Sequence, residues 1–146
     1  MAMEGTVQTI EVSADPQHVF EIALDLESYP EWVTQVKQVD VLEEDEYGRP
    51  IRVEFVADAM IKEINYTLVY RYDLDNGFSW EAEPGTDIKA LDGSYKFEQI
   101  EDGQTEVVYA LRVDPAFTVP GFLRRQAEKQ IVSSALRGLK KRAESD

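Results

Sequence analysis

The stretch FLRRQAEKQIVSSALRGLKKRA, residues 122–143, decides the fold of this chain. It contains no proline, and apolar residues recur in it at four-residue spacing, the pattern of an amphipathic helix with a broad apolar face. We predict one helix from Thr118 to about Ala143, about 39 Å long at about 1.5 Å per residue. The apolar face consists of Val119, Leu123, Ala127, Ile131, Ala135 and Leu139, widened by Phe122, Val132, Leu136 and Ala143. Only the strands that precede the helix can cover this face.

Ahead of the helix, the apolar residues follow the period of two that is typical of strands. The first strand runs from Thr6 to Ser13, and two short helices follow it, starting near Pro16 and near Ser28. Six further strands lie between Val36 and Val113. The break from Met60 to Lys62, the hairpin signal Asp75-Asn76-Gly77 and the turn at Glu101-Asp102-Gly103 separate some of them, and Gly93 predicts a bulge or sharp bend.

The short connections predict that the six strands form an antiparallel meander. One face of the strands is polar, so we expect a sheet packed on one side only. The fold class is therefore α+β, with a seven-stranded, strongly curved antiparallel sheet wrapped around the long C-terminal helix and two short helices after the first strand. We expect one domain over residues 1–146.

Composition excludes several classes of function. The formal net charge of −14 argues against nucleic acid, because affinity there comes largely from neutralised phosphates. There is no cysteine and one histidine, and no phosphate-binding or dinucleotide motif occurs, so we predict neither a metal site nor a cofactor. No segment has the length and apolarity of a membrane span, and the N-terminus lacks the features of a signal peptide. A cytoplasmic location is the expectation.

The C-terminal helix is basic although the chain is acidic. Residues 118–144 contain seven basic and two acidic residues, a balance of +5, which leaves −19 for the remainder. One interpretation is a solvated helix surface whose cations complement the dipole at its C-terminus. The other is a peripheral contact between this basic end and an anionic membrane or a partner.

Tyrosines on the inner face of the sheet predict a cavity. Five of the twelve inward-facing residues are tyrosines, Tyr66, Tyr70, Tyr72, Tyr95 and Tyr109, and a buried phenol usually needs a hydrogen-bond partner. Rim water or backbone carbonyls are one answer. The other is a hollow interior that holds a hydrophobic or planar ligand. Gly138, inside the helix, is explained either by close packing or by space for that ligand.

Thirteen residues are predicted to line the cavity. They are Trp32, Phe55, Tyr66, Leu68, Tyr70, Trp80, Tyr95, Phe97, Tyr109, Leu111, Phe122, Ile131 and Ala135. Catalytic residues are not assigned. His18 lies beside apolar positions without a motif around it, the strand carboxylates fall on the outer face, and Ser133 and Ser134 lack a triad context.

Three stretches resemble a known family. They are ADPQHVFEIALDLESYPEWV (residues 14–33), GSYKFEQIEDGQTEVVYALRVDP (93–115) and VPGFLRRQAEKQIVSSALRGLKKRAE (119–144). From about Glu4 to Ala143, the chain resembles the START-like, helix-grip (SRPBCC) superfamily, and within it bacterial polyketide cyclase/dehydrase and coenzyme Q-binding type proteins. The resemblance implies a cavity between helix and sheet that holds lipids, quinones or polyketides.

Three functional hypotheses follow. The first is binding or transport of a hydrophobic small molecule without catalysis, and it is the one we favour. The alternative is a polyketide cyclase/dehydrase (aromatase/cyclase), which would use the cavity tyrosines as proton donors or oxyanion stabilisers. The third is a module that contacts a chaperone or a membrane through the basic face of the helix.

Overall fold

The computed structural model describes residues 5–59, 62–73 and 76–145. Seven strands and three α-helices form in the predicted order, with a single 3₁₀ turn at Leu26–Ser28. The strands are β1 (Thr6–Val12), β2 (Val36–Glu44), β3 (Pro50–Ala59), β4 (Lys62–Asp73), β5 (Gly77–Ala82), β6 (Ile88–Glu101) and β7 (Gln104–Pro115). The helices are α1 (Pro16–Leu24), α2 (Tyr29–Trp32) and α3 (Gly121–Glu144). None of the described helices is both long and apolar enough to cross a membrane.

The seven strands form one sheet in the order β1-β7-β6-β5-β4-β3-β2, and every neighbouring pair is antiparallel. Strands β2 to β7 are a meander, since each pairs with the next along the chain. The first strand joins the sheet beside the last one, which leaves β1 and β2 as the edges. The predicted α+β class and the seven-stranded antiparallel sheet are confirmed.

The inner face of the sheet is the face that period-two alternation predicts. One row across it runs from Tyr70 through Trp80 and Gly93 to Leu111, residues that are partners in register on four neighbouring strands. Helix α3 lies against β1 and β7, and it also contacts α1 and α2. The solid part of the core lies here, where Val12, Val107 and Leu139 are fully buried.

Helix α3 begins three residues later than predicted. Pro120 is its N-cap, with extended backbone at ψ 140°, and the first helical residue is Gly121. The reason is local, because a proline disfavours helical backbone in the residue before it, which here is Val119. The helix of 24 residues is about 36 Å long, close to the expected value.

Gly93 does not form the predicted bulge. It pairs in regular register with Trp80 and Leu111, and the irregularities of β6 lie instead between Ile88 and Ala90 and near Gln99. The glycine is needed because the Trp80 indole occupies the place of a side chain: a Cβ on Gly93 would lie 2.5 Å from the ring. Met60 and Ile61 of the predicted break, and Asp75 of the predicted hairpin turn, lie outside the described residues.

Candidate ligand cavity

A cavity of about 360 Å³ lies between the first half of α3 and the inner face of the sheet. Ala127, Ile131 and Ala135 form its helical wall, and most of its lining is apolar. The exposed residues Asp58 of β3 and Thr118, just before α3, also contribute to the lining, so the cavity meets solvent beside these two residues. The volume is at the lower end of the range of roughly 300–1,000 Å³ that is typical of small-molecule sites.

Most residues that were predicted to line a cavity are brought together here. Ten of them contribute to the lining: Phe55, Tyr66, Leu68, Tyr70, Trp80, Tyr95, Tyr109, Leu111, Ile131 and Ala135. They come from β3, β4, β5, β6, β7 and α3, so that the site exists only in the folded chain. Strict alternation along each strand is the reason that inward-facing residues could be recognised from the sequence.

Three predicted lining residues lie elsewhere. Trp32 packs its ring on α3, where a Cβ at Gly138 would lie 2.9 Å from the ring, so close packing rather than ligand space explains this glycine. Phe97 is 1% exposed and contacts Phe20 edge to face in the solid core. Phe122, in the first turn of α3, is 63% exposed and does not contribute to the lining.

Four tyrosines of the sheet line the cavity: Tyr66, Tyr70, Tyr95 and Tyr109. Their rings lie close together, with 4.5 Å between the centroids of Tyr95 and Tyr109. Burial raises the pKa of all four hydroxyls, and neighbouring tyrosines raise the pKa of Tyr70 further. The phenols are therefore protonated at neutral pH and can both donate and accept hydrogen bonds.

The fifth inward tyrosine behaves differently. The Tyr72 hydroxyl donates to the carbonyl oxygen of Pro50, and the Arg49 guanidinium lies 4.6 Å from the centre of its ring. A backbone carbonyl thus accepts the hydrogen bond of this phenol, which is one of the two explanations that the sequence offered for the inward-facing tyrosines. Tyr29 of α2 was not predicted, yet it lines the cavity, and its hydroxyl donates to the carbonyl oxygen of Ala23.

The polar part of the lining includes a buried carboxylate that was not predicted. Glu128 of α3 is 3% exposed; its Oε1 accepts from the Thr6 hydroxyl at 3.2 Å, and its Oε2 accepts from the Val113 N–H at 2.8 Å. One turn earlier, the Arg124 guanidinium donates to the carbonyl oxygen of Val113 at 3.3 Å. The sequence carried a signal for Glu128, since it lies one turn before Val132 on the buried stripe.

The residues considered for catalysis are not brought together at the cavity. His18 lies on α1, and neither it nor Ser133 nor Ser134 contributes to the lining. The Ser133 hydroxyl instead accepts from Arg137 at 2.9 Å. Within residues 5–59, 62–73 and 76–145, no cluster of three or more His, Cys, Asp or Glu residues is arranged to hold a metal ion.

Comparisons with known proteins agree with this architecture. Residues 12–140 match the family model "Polyketide cyclase / dehydrase and lipid transport". No curated protein matches the chain significantly. Several solved structures do match, and the sequence identities of those described here are low enough that the likeness concerns the fold alone. A START superfamily protein from Mycobacterium smegmatis has a TM-score of 0.88 at 19% identity, and the match covers 96% of this chain and 97% of that one.

Two other similar structures carry different functional names. The Zhui aromatase/cyclase from Streptomyces sp. R1128 has a TM-score of 0.80 at 16% identity, over 97% of this chain and 93% of that one. A STAR-related lipid transfer protein from Xanthomonas axonopodis has a TM-score of 0.70 at 14% identity, over 94% of this chain and 84% of that one. Because the family model spans most of the sequence, the chain belongs to the polyketide cyclase/dehydrase and lipid transport family and has its START-like ligand-binding fold.

Proposed function

We propose that this protein binds or transports a hydrophobic small molecule, a lipid, a quinone or a polyketide-like compound, in the cavity between the sheet and α3. The observation that carries the proposal is a cavity of about 360 Å³ with mostly apolar walls, beside a part of the core where Val12, Val107 and Leu139 are fully buried. An apolar ligand would gain by leaving water, in proportion to the apolar area that it buries. The phenols of Tyr66, Tyr70, Tyr95 and Tyr109 offer hydrogen bonds to oxygen atoms of such a ligand.

The proposed binding predicts stabilisation of the folded protein by ligand. A ligand at 100 times its Kd raises the free energy of unfolding by about 2.7 kcal/mol, which is about 5–10 °C in Tm for a chain of this size. We expect this shift for at least one member of a panel of quinones, phenols, sterols and single-chain lipids in thermal denaturation. Native mass spectrometry of the same samples should show the complex at one ligand per chain.

Two variants make the test specific to the cavity. Ala135 is 4% exposed on the cavity wall, so Ala135→Phe should fill the cavity and abolish the shift. Arg137 is exposed on the other side of α3, and Arg137→Ala should leave the shift unchanged. If neither technique detects a ligand from the panel, or if Ala135→Phe binds as well as the unmodified protein, the proposed function is wrong.

The alternative of a cyclase/dehydrase has weaker support from the site. Tyrosines whose pKa is raised by burial suit hydrogen-bond donation to a developing oxyanion, but they are poor general bases at neutral pH. The same hydroxyls serve equally well to hold a ligand that does not react. Binding of a ligand therefore needs less from these residues than catalysis does, because it needs no general base.

We extend the proposal to a peripheral contact with anionic membranes through the basic end of α3. Lys141 and Arg137 are exposed one helical turn apart, and their charges are therefore available to a lipid surface. Lys140 and Arg142 already pair with Glu144 and Glu31 at 2.7 and 3.4 Å. A cytoplasmic location stays a prediction.

A further inference from the structure

We infer that Glu128 sets the ligand specificity of the cavity. Its carboxylate selects ligands whose polar group donates a hydrogen bond, such as an alcohol or a phenol, and excludes those with a carboxylate of their own, such as fatty acids. This inference rests on the proposed function, because it concerns the same cavity. It narrows the hydrophobic ligand to an uncharged, hydroxyl-bearing molecule.

The position of Glu128 is the first argument. The residue is 3% exposed and contributes to the lining of the cavity, which is the space that a bound ligand would occupy. Each carboxylate oxygen accepts one hydrogen bond, from Thr6 and from Val113 respectively. A carboxylate has about four acceptor sites, so about two remain for a donor on the ligand.

Charge is the second argument. No Lys, Arg or His forms an ion pair with Glu128 among the described residues, and its two hydrogen-bond donors are uncharged. A buried charge is costly unless it is paired and hydrogen-bonded. A second carboxylate in the same cavity would bring two acidic groups together in apolar surroundings, whereas a hydroxyl would donate a further hydrogen bond to the Glu128 carboxylate.

The other charged groups of the lining do not reverse the preference for a ligand hydroxyl over a ligand carboxylate. Asp58 adds a second carboxylate, at the exposed end, where it pairs with Lys37 at 3.5 Å. Arg124 is the basic residue of the described lining, and its Nη1 donates to the Val113 carbonyl. A ligand carboxylate placed beside Arg124 would therefore still lie within about one helical turn of Glu128.

Glu128 also has a structural role, which the experiment must separate from selectivity. The pairing between β1 and β7 ends at Leu111, so that the N–H of Val113 lies beyond the end of the neighbouring strand and needs another acceptor. Loss of the carboxylate therefore costs stability in addition to any effect on the ligand. Thr6→Val removes one of the two structural hydrogen bonds but keeps the charge, and it is the matched control.

The test compares three probes that share a hexylphenyl group and differ in their polar group: 4-hexylphenol, 4-hexylbenzoate and the uncharged methyl ester of that benzoate. Binding is followed by the fluorescence change of the tryptophans, since Trp80 lies on the cavity wall, and by calorimetry. For the unmodified protein at pH 7, we expect the phenol to bind at least tenfold more tightly than the benzoate. We expect the methyl ester to bind with intermediate affinity.

Glu128→Gln removes the carboxylate and should lower the affinity ratio of phenol to benzoate, leaving only the cost of burying the benzoate charge itself. Thr6→Val should keep the ratio of the unmodified protein, although both variants should lose stability. Equal binding of phenol and benzoate by the unmodified protein overturns the inference even if Glu128→Gln does not fold. An unchanged ratio in Glu128→Gln overturns it as well. Failure of all three probes to bind, when a quinone or lipid of the panel does bind, overturns the inference alone. Failure of the probes and of the whole panel contradicts the proposed function itself.

Discussion

Both tryptophans of the chain lie against a glycine, which makes two single residues important for the shape of the interior. Trp80 covers Gly93 on the sheet, and Trp32 covers Gly138 on α3. A glycine in a helix costs about 1 kcal/mol relative to alanine, and the close contact of a large aromatic ring offsets such a cost. At the Gly93 contact, the missing side chain leaves the space that the Trp80 indole occupies.

Gly93→Ala tests this packing. Alanine in a strand is ordinarily more favourable than glycine, but here its Cβ would lie 2.5 Å from the Trp80 ring. We expect a loss of about 1–3 kcal/mol in urea unfolding, together with altered tryptophan fluorescence, because overpacking displaces the ring. Ser94→Ala, the next residue of the strand, should change stability by less than about 0.5 kcal/mol. A Gly93→Ala variant with the same free energy of unfolding as the unmodified protein would refute the close contact.

At the scale of the element, α3 performs two tasks along its length. Its second half is part of the solid core, where Val132, Leu136, Leu139 and Ala143 are each no more than 2% exposed. Its first half faces the cavity through Ala127 and Ile131. The change from core to cavity near Ala135 means that one helix both anchors the fold and provides a wall for the ligand.

The basic end of the same helix predicts binding to anionic membranes. Each Lys or Arg near such a surface contributes about 1 kcal/mol to binding. Replacing both Arg137 and Lys141 with Glu, which reverses their charges, should therefore weaken co-sedimentation with phosphatidylserine vesicles at least tenfold. Lys140 is left unchanged, because it also donates to the Glu11 carbonyl at 2.9 Å. Replacing the exposed residues Lys89 and Lys96 of β6 with Glu gives the protein the same net charge but changes the sheet instead of α3. This control variant should bind the vesicles nearly as well as the unmodified protein. Equal loss in both double variants would refute a contact specific to α3.

For the molecule as a whole, carboxylates that hold loops and ends in place predict acid sensitivity. The N–H of Asn65 and the ammonium of Lys62 lower the pKa of Asp87, and Arg52 lowers that of Glu83. A carboxylate whose pKa is lowered in the folded state stabilises the protein above its unfolded pKa of about 4. That contribution is lost as the pH falls through the folded pKa.

We therefore expect the urea midpoint to fall between pH 5 and pH 3. Asp87→Asn should lose less stability over this interval than the unmodified protein, because its side chain no longer titrates. The comparison between variants is the informative one, since acidification also relieves the repulsion of a chain with a net charge of −14. Glu27→Gln, at an exposed position, is the control. An identical pH dependence for Asp87→Asn and the unmodified protein would contradict the prediction.

Local pattern determined a large part of the fold and of the site. Alternation along β3 to β7 placed Phe55, Tyr66 and Tyr109 on the inner face, because successive side chains of a strand point to opposite sides. The four-residue spacing of α3 likewise identified its buried stripe. The start of α3 at Gly121 was equally local, as Pro120 disfavours helical backbone at Val119.

Tertiary structure alone decided where the interior is solid and where it is hollow. Periodicity assigns a residue to a face, but it does not state which neighbour covers that face, since this depends on how the sheet curves and where α3 crosses it. Phe97 therefore belongs to the core and Phe122 to the surface, although both fit the inward pattern. Glu128 shows the converse, since this charged residue is buried where Thr6 of β1 and Val113 of the neighbouring strand β7 supply its hydrogen bonds.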